Sequence, residues 1–350
     1  MSPYPPPFRT AALAATLGVT VALAPTAHPV ALAPTAHPGV AAAAATGEHP
    51  AGPLAAARIT TAHELPGDRV YPEGITADPR TGALYVGSFA DGTVYRAMPG
   101  RRVAEVFLPA GADGRHTANG LAADRAGRLW VTDSTSGVQV YDLASREPLA
   151  RLTVPEGAPT FVNDVTVGAD GTAYLTDSLR AVIYRVTPAQ LRRARGRSAT
   201  LTPYADLRDV LDTPTGGTLN GIVADPAGRH LFVVDMAGGD LFRLDPVTGA
   251  VRRVALRGGD MANADGLELH DGTLWVVHNV DNAVSRWRLA RDGSSARLER
   301  RVTDDALHLP TTLARRHGRL YVVRSQFDKG GPMGEGTPST PFTIAVVRGI

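Results

Sequence analysis

One segment recurs six times in this chain, and such a repeat constrains the fold more than any other feature of the sequence. The copies read YPEGITADPRTGALYVGS from Tyr71, TANGLAADRAGRLWVTDS from Thr117, FVNDVTVGADGTAYLTDS from Phe161, TLNGIVADPAGRHLFVVD from Thr218, NADGLELHDGTLWVVHN from Asn263 and LPTTLARRHGRLYVVRS from Leu309. Each is a short apolar strand, a glycine-containing turn and a second strand, mostly of the type Leu-aromatic-Val. Their third residues are Glu73, Asn119, Asn163, Asn220, Asp265 and Thr311, spaced by 46, 44, 57, 45 and 46 residues. Between copies there is room for two more strands, such as Thr93–Ala97 and Val103–Leu108 after the first. Four short strands at a period of roughly 40–50 residues predict an all-β, six-bladed β-propeller with four-stranded blades. The near-continuous apolar runs ALYVG and HLFVV suit strands sandwiched between neighbouring blades.

The last copy has only three clear strands, the final one in Phe342–Val347 (FTIAVV). The segment Ala57–Leu65 (ARITTAHEL) supplies the missing outer strand, which closes the ring and removes its exposed edges. The propeller therefore spans residues 58–350. Pro188–Arg195 is the one helical segment expected. It carries Arg192, Arg193 and Arg195, with Arg197 just after it, and belongs to a third-to-fourth-strand connection as a solvated helix.

Residues 1–57 are a separate object. They are rich in Ala, Pro and Thr, only Arg9 and Glu48 are charged, and VALAPTAHP occurs twice in tandem from Val21. Ala11–Ala24 is a 14-residue apolar run behind Arg9 that stops at Pro25, too short for a membrane span and of the length of a signal-peptide core. The expectation is a signal peptide with an Ala/Pro-rich tail, a secreted mature protein and no membrane attachment after cleavage. A net charge of +2 among 350 residues gives no surface that tracks phosphates, so nucleic acid is excluded as a partner. The expected partner is a small-molecule substrate, taken by a monomer. The chain has no cysteine, so disulfides, thiol nucleophiles and thiolate metal sites are excluded, and any metal must be held by oxygen or imidazole.

In a propeller the first strand of each blade lines the central channel, so the six third residues form a ring at one mouth. Glu73, Asn119, Asn163, Asn220 and Asp265 are costly to bury without partners. One reading gives Asn119-Gly120, Asn220-Gly221 and Asp265-Gly266 a turn role alone, but it does not account for Glu73. The other is an oxygen-lined cation site: two carboxylates balance one divalent cation and amide carbonyls add neutral donors, a set that suits Ca²⁺ better than Zn²⁺.

The P-E-G opening together with the F-x-N-D, x-x-N-G and A-D-G segments resembles the calcium-dependent six-bladed propellers of the gluconolactonase and regucalcin type, relatives of diisopropylfluorophosphatase and the paraoxonases. The resemblance covers about residues 60–350. It implies that Glu73, Asn163, Asn220 and Asp265 hold one catalytic Ca²⁺, and it leaves Asn119 as a substrate contact or outer ligand. Asp265 also becomes the candidate catalytic carboxylate, with His116 and His278 as candidate proton carriers. Asp133, Asp177 and Asp235, at the ends of second strands, read as caps of the following turns, and Gln326–Thr340 reads as a loop over the metal face. The function implied is a secreted calcium-dependent hydrolase of a lactone or ester. The alternative is a non-catalytic, calcium-stabilised propeller that binds a small ligand or a protein.

Overall fold

Every copy of the repeat becomes the inner half of one blade, and six antiparallel sheets follow one another around an axis to make a six-bladed β-propeller. The computed structural model describes residues 56–212 and 218–350. The expected signal peptide and Ala/Pro-rich tail lie outside these residues, apart from Ala56 and Ala57. Blade 1 shows the common plan, with strands Pro72–Ala77, Leu84–Ser88, Val94–Ala97 and Glu105–Leu108 running from axis to rim. The other inner strands are Leu121–Ala123, Val162–Val167, Leu219–Ala224, Ala264–His270 and Pro310–Arg316.

The second strand of each blade is almost wholly buried because it is covered on both faces. Leu84–Ser88, Ala173–Asp177 and Leu231–Asp235 have no accessible position. The core is accordingly a set of slabs between neighbouring blades. Ile75 and Val86 of blade 1 pack on Tyr321, Val323 and Ile344 of blade 6, and Phe232 and Val234 of blade 4 pack on Leu274 and Trp287 of blade 5.

Arg58–Leu65 closes the ring as the outer strand of blade 6, antiparallel to Phe342–Arg348, from Arg58 opposite Arg348 to Leu65 opposite Phe342. Leu65 is fully buried by this pairing. A chain that begins at Pro66 leaves Phe342–Arg348 as an open edge and forfeits that burial. It should melt at least about 5 °C below one that begins at Gly52, and equal melting in a thermal scan would remove the closure argument.

Two blades depart from the four-stranded plan. Ser198–Thr200 pairs in parallel with Pro148–Thr153 on the rim of blade 2, and Ala255–Arg257 pairs in parallel with Ser295–Thr303 on the rim of blade 5. In both places a connecting segment covers an edge that would otherwise be open. The helix spans Pro188–Ala194, capped by Thr187 with Gln190 returning the bond. It follows the third strand of blade 3, on the face opposite the ring of third residues. Among the described residues no helix is long and apolar enough to cross a membrane.

Candidate metal centre

The inner strands carry an irregularity where the candidate ligands stand. In blades 1, 3, 4, 5 and 6 the pairing of first and second strands breaks between the second and fifth residues of the repeat, as from Pro72 to Ile75 and from Ala264 to Leu267. Such a bulge re-aims side chains and lets the strand end bend. The glycine after the ring residue serves this geometry, and not a turn. A Cβ on Gly74 would stand 2.0 Å from the Asn119 carbonyl oxygen, and one on Gly221 would stand 2.2 Å from that of Asp265. Neither glycine has a positive φ. The turn reading of the Asn-Gly and Asp-Gly pairs is thereby replaced: glycine is needed because adjacent blades touch backbone to backbone around the axis. Threonine hydroxyls tie the ring further, Thr176 Oγ1 donating to the Asn220 carbonyl at 2.8 Å and Thr311 Oγ1 to that of Glu73 at 2.7 Å.

Glu73, Asn119, Asn163, Asn220, Asp265 and Thr311 are all buried, none more than 8% exposed. Three of them have buried side-chain oxygens with no hydrogen-bond partner, Glu73 Oε2, Asn119 Oδ1 and Asn163 Oδ1, and Asn279 Oδ1 is a fourth. Their amide nitrogens are employed elsewhere. Asn163 Nδ2 donates to Ser178 Oγ at 3.1 Å, Asn119 Nδ2 to the Val162 carbonyl at 3.5 Å, and Asn279 Nδ2 to Asp265 Oδ2 at 3.0 Å. Orphaned oxygen acceptors in one buried ring are expensive unless a cation satisfies them.

The titration of the carboxyls points the same way. Burial pushes Glu73 well above the ordinary range, and the charges of Asp265 and Asp164 push it further. Burial also raises Asp265, against the hydrogen bonds from Asn279 and Asn220 that favour its charged form, and Asp164 adds repulsion. Like charges held together without solvent want a positive ion between them. Among the described residues no three His, Asp or Glu side chains form a metal-binding group. The ring has two carboxylates and completes its donor set with amide oxygens, which suits a hard cation of flexible coordination. The residues fit a calcium ion.

Not every candidate residue joins this ring. His278 is fully buried inside blade 5, its Nδ1 at 2.9 Å from the Ala262 carbonyl and its Nε2 at 2.7 Å from Ser285 Oγ, and burial lowers its pKa. Both ring nitrogens are committed to structure, which corrects its reading as a proton carrier at the mouth. His116 is exposed, three residues before Asn119, and its backbone N–H donates to Asp133 Oδ2 at 2.6 Å. Asp133 caps its turn through the N–H groups of Thr135 and Ser136, and Asp177 does so through those of Leu179 and Arg180.

Sequence reasoning missed Asn279 and Ser178. Adjacent strand residues face opposite ways, so when His278 and Asp177 point into the blade, the next residue points toward the mouth. It also missed Asp164, whose carboxyl is raised to about 6 by burial against hydrogen bonds from the N–H groups of Val165 and Ile222, and Glu268, raised to about 7 by burial. These two line a cavity of about 560 Å³ that occupies the channel below the ring and opens on the opposite face; no ring residue lines it.

Fold and site together define a class: a six-bladed propeller with a buried ring of carboxylate and amide oxygens at one mouth of its channel. The SMP-30/Gluconolactonase/LRE-like region matches residues 71–297, well over half of the chain. The protein belongs to this family. Among solved structures it is similar to a gluconolactonase from Xanthomonas campestris (19% identity, 84% of this chain and 90% of that one, TM-score 0.56). It is similar also to regucalcin, a calcium-binding protein from Agrobacterium tumefaciens (16% identity, 81% and 91%, TM-score 0.57). A third is the Malassezia sympodialis allergen Mala s 1 (17% identity, 80% and 94%, TM-score 0.61). At these identities the likeness is one of fold. Among curated proteins none matches this sequence.

Proposed function

We propose that this protein is a secreted, calcium-dependent hydrolase of a lactone or ester, with its reaction at the mouth ringed by Glu73, Asn163, Asn220 and Asp265. The observation that carries the reading is the set of buried oxygens without partners, Glu73 Oε2, Asn119 Oδ1, Asn163 Oδ1 and Asn279 Oδ1. They accompany two carboxyls, Glu73 and Asp265, that burial and neighbouring negative charge hold above their ordinary range. Family membership supports a lactonase-type activity. Export is supported by the apolar run Ala11–Ala24 behind Arg9.

A divalent cation bound in the ring supplies positive charge against the carbonyl oxygen of the substrate. The chain does the rest. Glu73, Asn163, Asn220 and Asp265 would hold the ion in place. Asn279 orients Asp265 through the bond to Oδ2; Asp265 accepts the proton of the water that attacks the carbonyl carbon and returns it to the leaving oxygen as the acyl C–O bond breaks. Asn119, buried in the ring with its oxygen unpartnered, is an outer ligand or a substrate contact. The fixed blades hold these groups in register with the substrate.

The test is a panel of γ- and δ-lactones and phenyl esters, assayed with calcium and again after chelation. Hydrolysis of at least one class with calcium, lost on chelation and restored by added calcium, is the expected result. Calcium binding without hydrolysis of any member would move the protein to the binding-propeller class.

A further inference from the structure

Three phenylalanine rings from three blades meet on the mouth side. Phe89 follows the second strand of blade 1 and is half-buried. Its ring centroid lies 5.3 Å from that of Phe327, in the long loop of blade 6, and 6.4 Å from that of Phe161, two residues before Asn163 in blade 3. Tyr71, two residues before Glu73, extends the row at 6.5 Å from Phe327. A contact between blades 1 and 3 has to cross the sector of blade 2, so the row bridges the side of the ring that carries Glu73, Asn119 and Asn163. The sector of Asn220 and Asp265 lies across the axis from it.

Two of the polar side chains flanking this row, Tyr71 and Gln326, are already spent. The Tyr71 hydroxyl donates to the Lys329 carbonyl at 2.9 Å, and the Gln326 side-chain amide donates to and accepts from the Ser339 backbone at 2.9 and 2.8 Å. A ligand rich in hydroxyls gains no partner from these groups and loses water to reach them. An apolar ligand gains contact area instead. The same face carries exposed apolar side chains on its second-to-third-strand loops, Leu179 at 45%, Val280 at 46% and Met333 at 50%.

We propose that the row of Phe327, Phe89 and Phe161 is a specificity wall that selects lactones and esters with an apolar acyl part, alkyl or aryl, over polyhydroxylated lactones. This rests on the hydrolase reading above and adds the substrate class to it. Phe161 is the residue to test, because it joins the wall to the strand that carries Asn163.

The experiment uses the full chain loaded with calcium and two non-hydrolysable ligands, a γ-lactam bearing a hexyl chain and a polyhydroxylated lactam, titrated by calorimetry. Turnover of the matching lactones is measured alongside. The expected result is at least a roughly tenfold preference for the hexyl ligand, lost in Phe161→Asn and largely kept in Phe161→Leu. The calcium-induced gain in melting temperature should be unchanged in both variants. Equal or reversed preference in the unaltered protein overturns the proposal, as does failure of both lactams to bind, or an equal loss for both ligands in Phe161→Asn. Turnover without preference removes the wall and leaves the hydrolase reading standing. Preference in binding without turnover of any lactone removes the hydrolase reading and keeps the wall as a selector of apolar ligands.

Discussion

Asp265→Asn lowers turnover of the preferred lactone or ester by about 10²–10⁴-fold, the range for loss of a positioned acid or base, while the propeller stays folded. The substitution keeps the shape of the side chain and one oxygen that can accept from Asn279 Nδ2, which lies at 3.0 Å. It removes a buried negative charge whose neighbour Asp164 repels it. Without calcium the variant should therefore melt no lower than the unaltered protein, which separates lost chemistry from lost structure. Asp133→Asn is the comparison. Asp133 accepts from the N–H groups of His116, Thr135 and Ser136, so its role is to fix a turn, and turnover should stay within a few-fold. Equal damage from the two substitutions, or full activity in Asp265→Asn, would sink the assignment of Asp265.

The difference between these two aspartates shows what a sequence of this kind discloses. The repeat period set the number of blades, and the closing strand could be found because blade 6 lacked a fourth strand and Ala57–Leu65 stood just before the first copy; the register from Arg58 to Leu65 agrees. The ring residues were legible because polar types interrupt an apolar strand at one fixed place in each copy. The fifth strands of blades 2 and 5 were not legible, since Ser198–Thr200 and Ala255–Arg257 are three-residue segments whose pairing depends on where the chain crosses a neighbouring rim. His278 was misread and Asn279 passed over for one reason. The end of the second strand was located to within a residue, and a shift of one residue exchanges the two faces. Asp164 and Glu268 looked like ordinary strand residues; their raised pKa values come from the closed channel, which exists only once six blades surround it.

Calcium should stabilise the fold, and the gain should grow with pH. In the calcium-free protein Glu73 and Asp265 have folded-state pKa values raised by burial. The native state then holds more protons than the unfolded chain between the ordinary carboxylate value of about 4 and the raised folded values. The stabilising contribution of these groups is complete below that pH and is lost as pH rises through their folded values. Calcium reverses the balance, because it binds the deprotonated ring and must displace those protons when the pH is low. Binding to the native state alone contributes about 2.7 kcal/mol at a hundredfold excess over the dissociation constant, about 4–5 °C in melting temperature for a domain of this size. Two melting series between pH 5 and pH 8, one with calcium and one with EDTA, isolate the effect, since groups untouched by the ion cancel in the difference. The gap should be small at pH 5 and widest at pH 8. A gap that is constant or narrows with pH, or EDTA without effect at pH 8, would mean that Glu73 and Asp265 do not hold the ion.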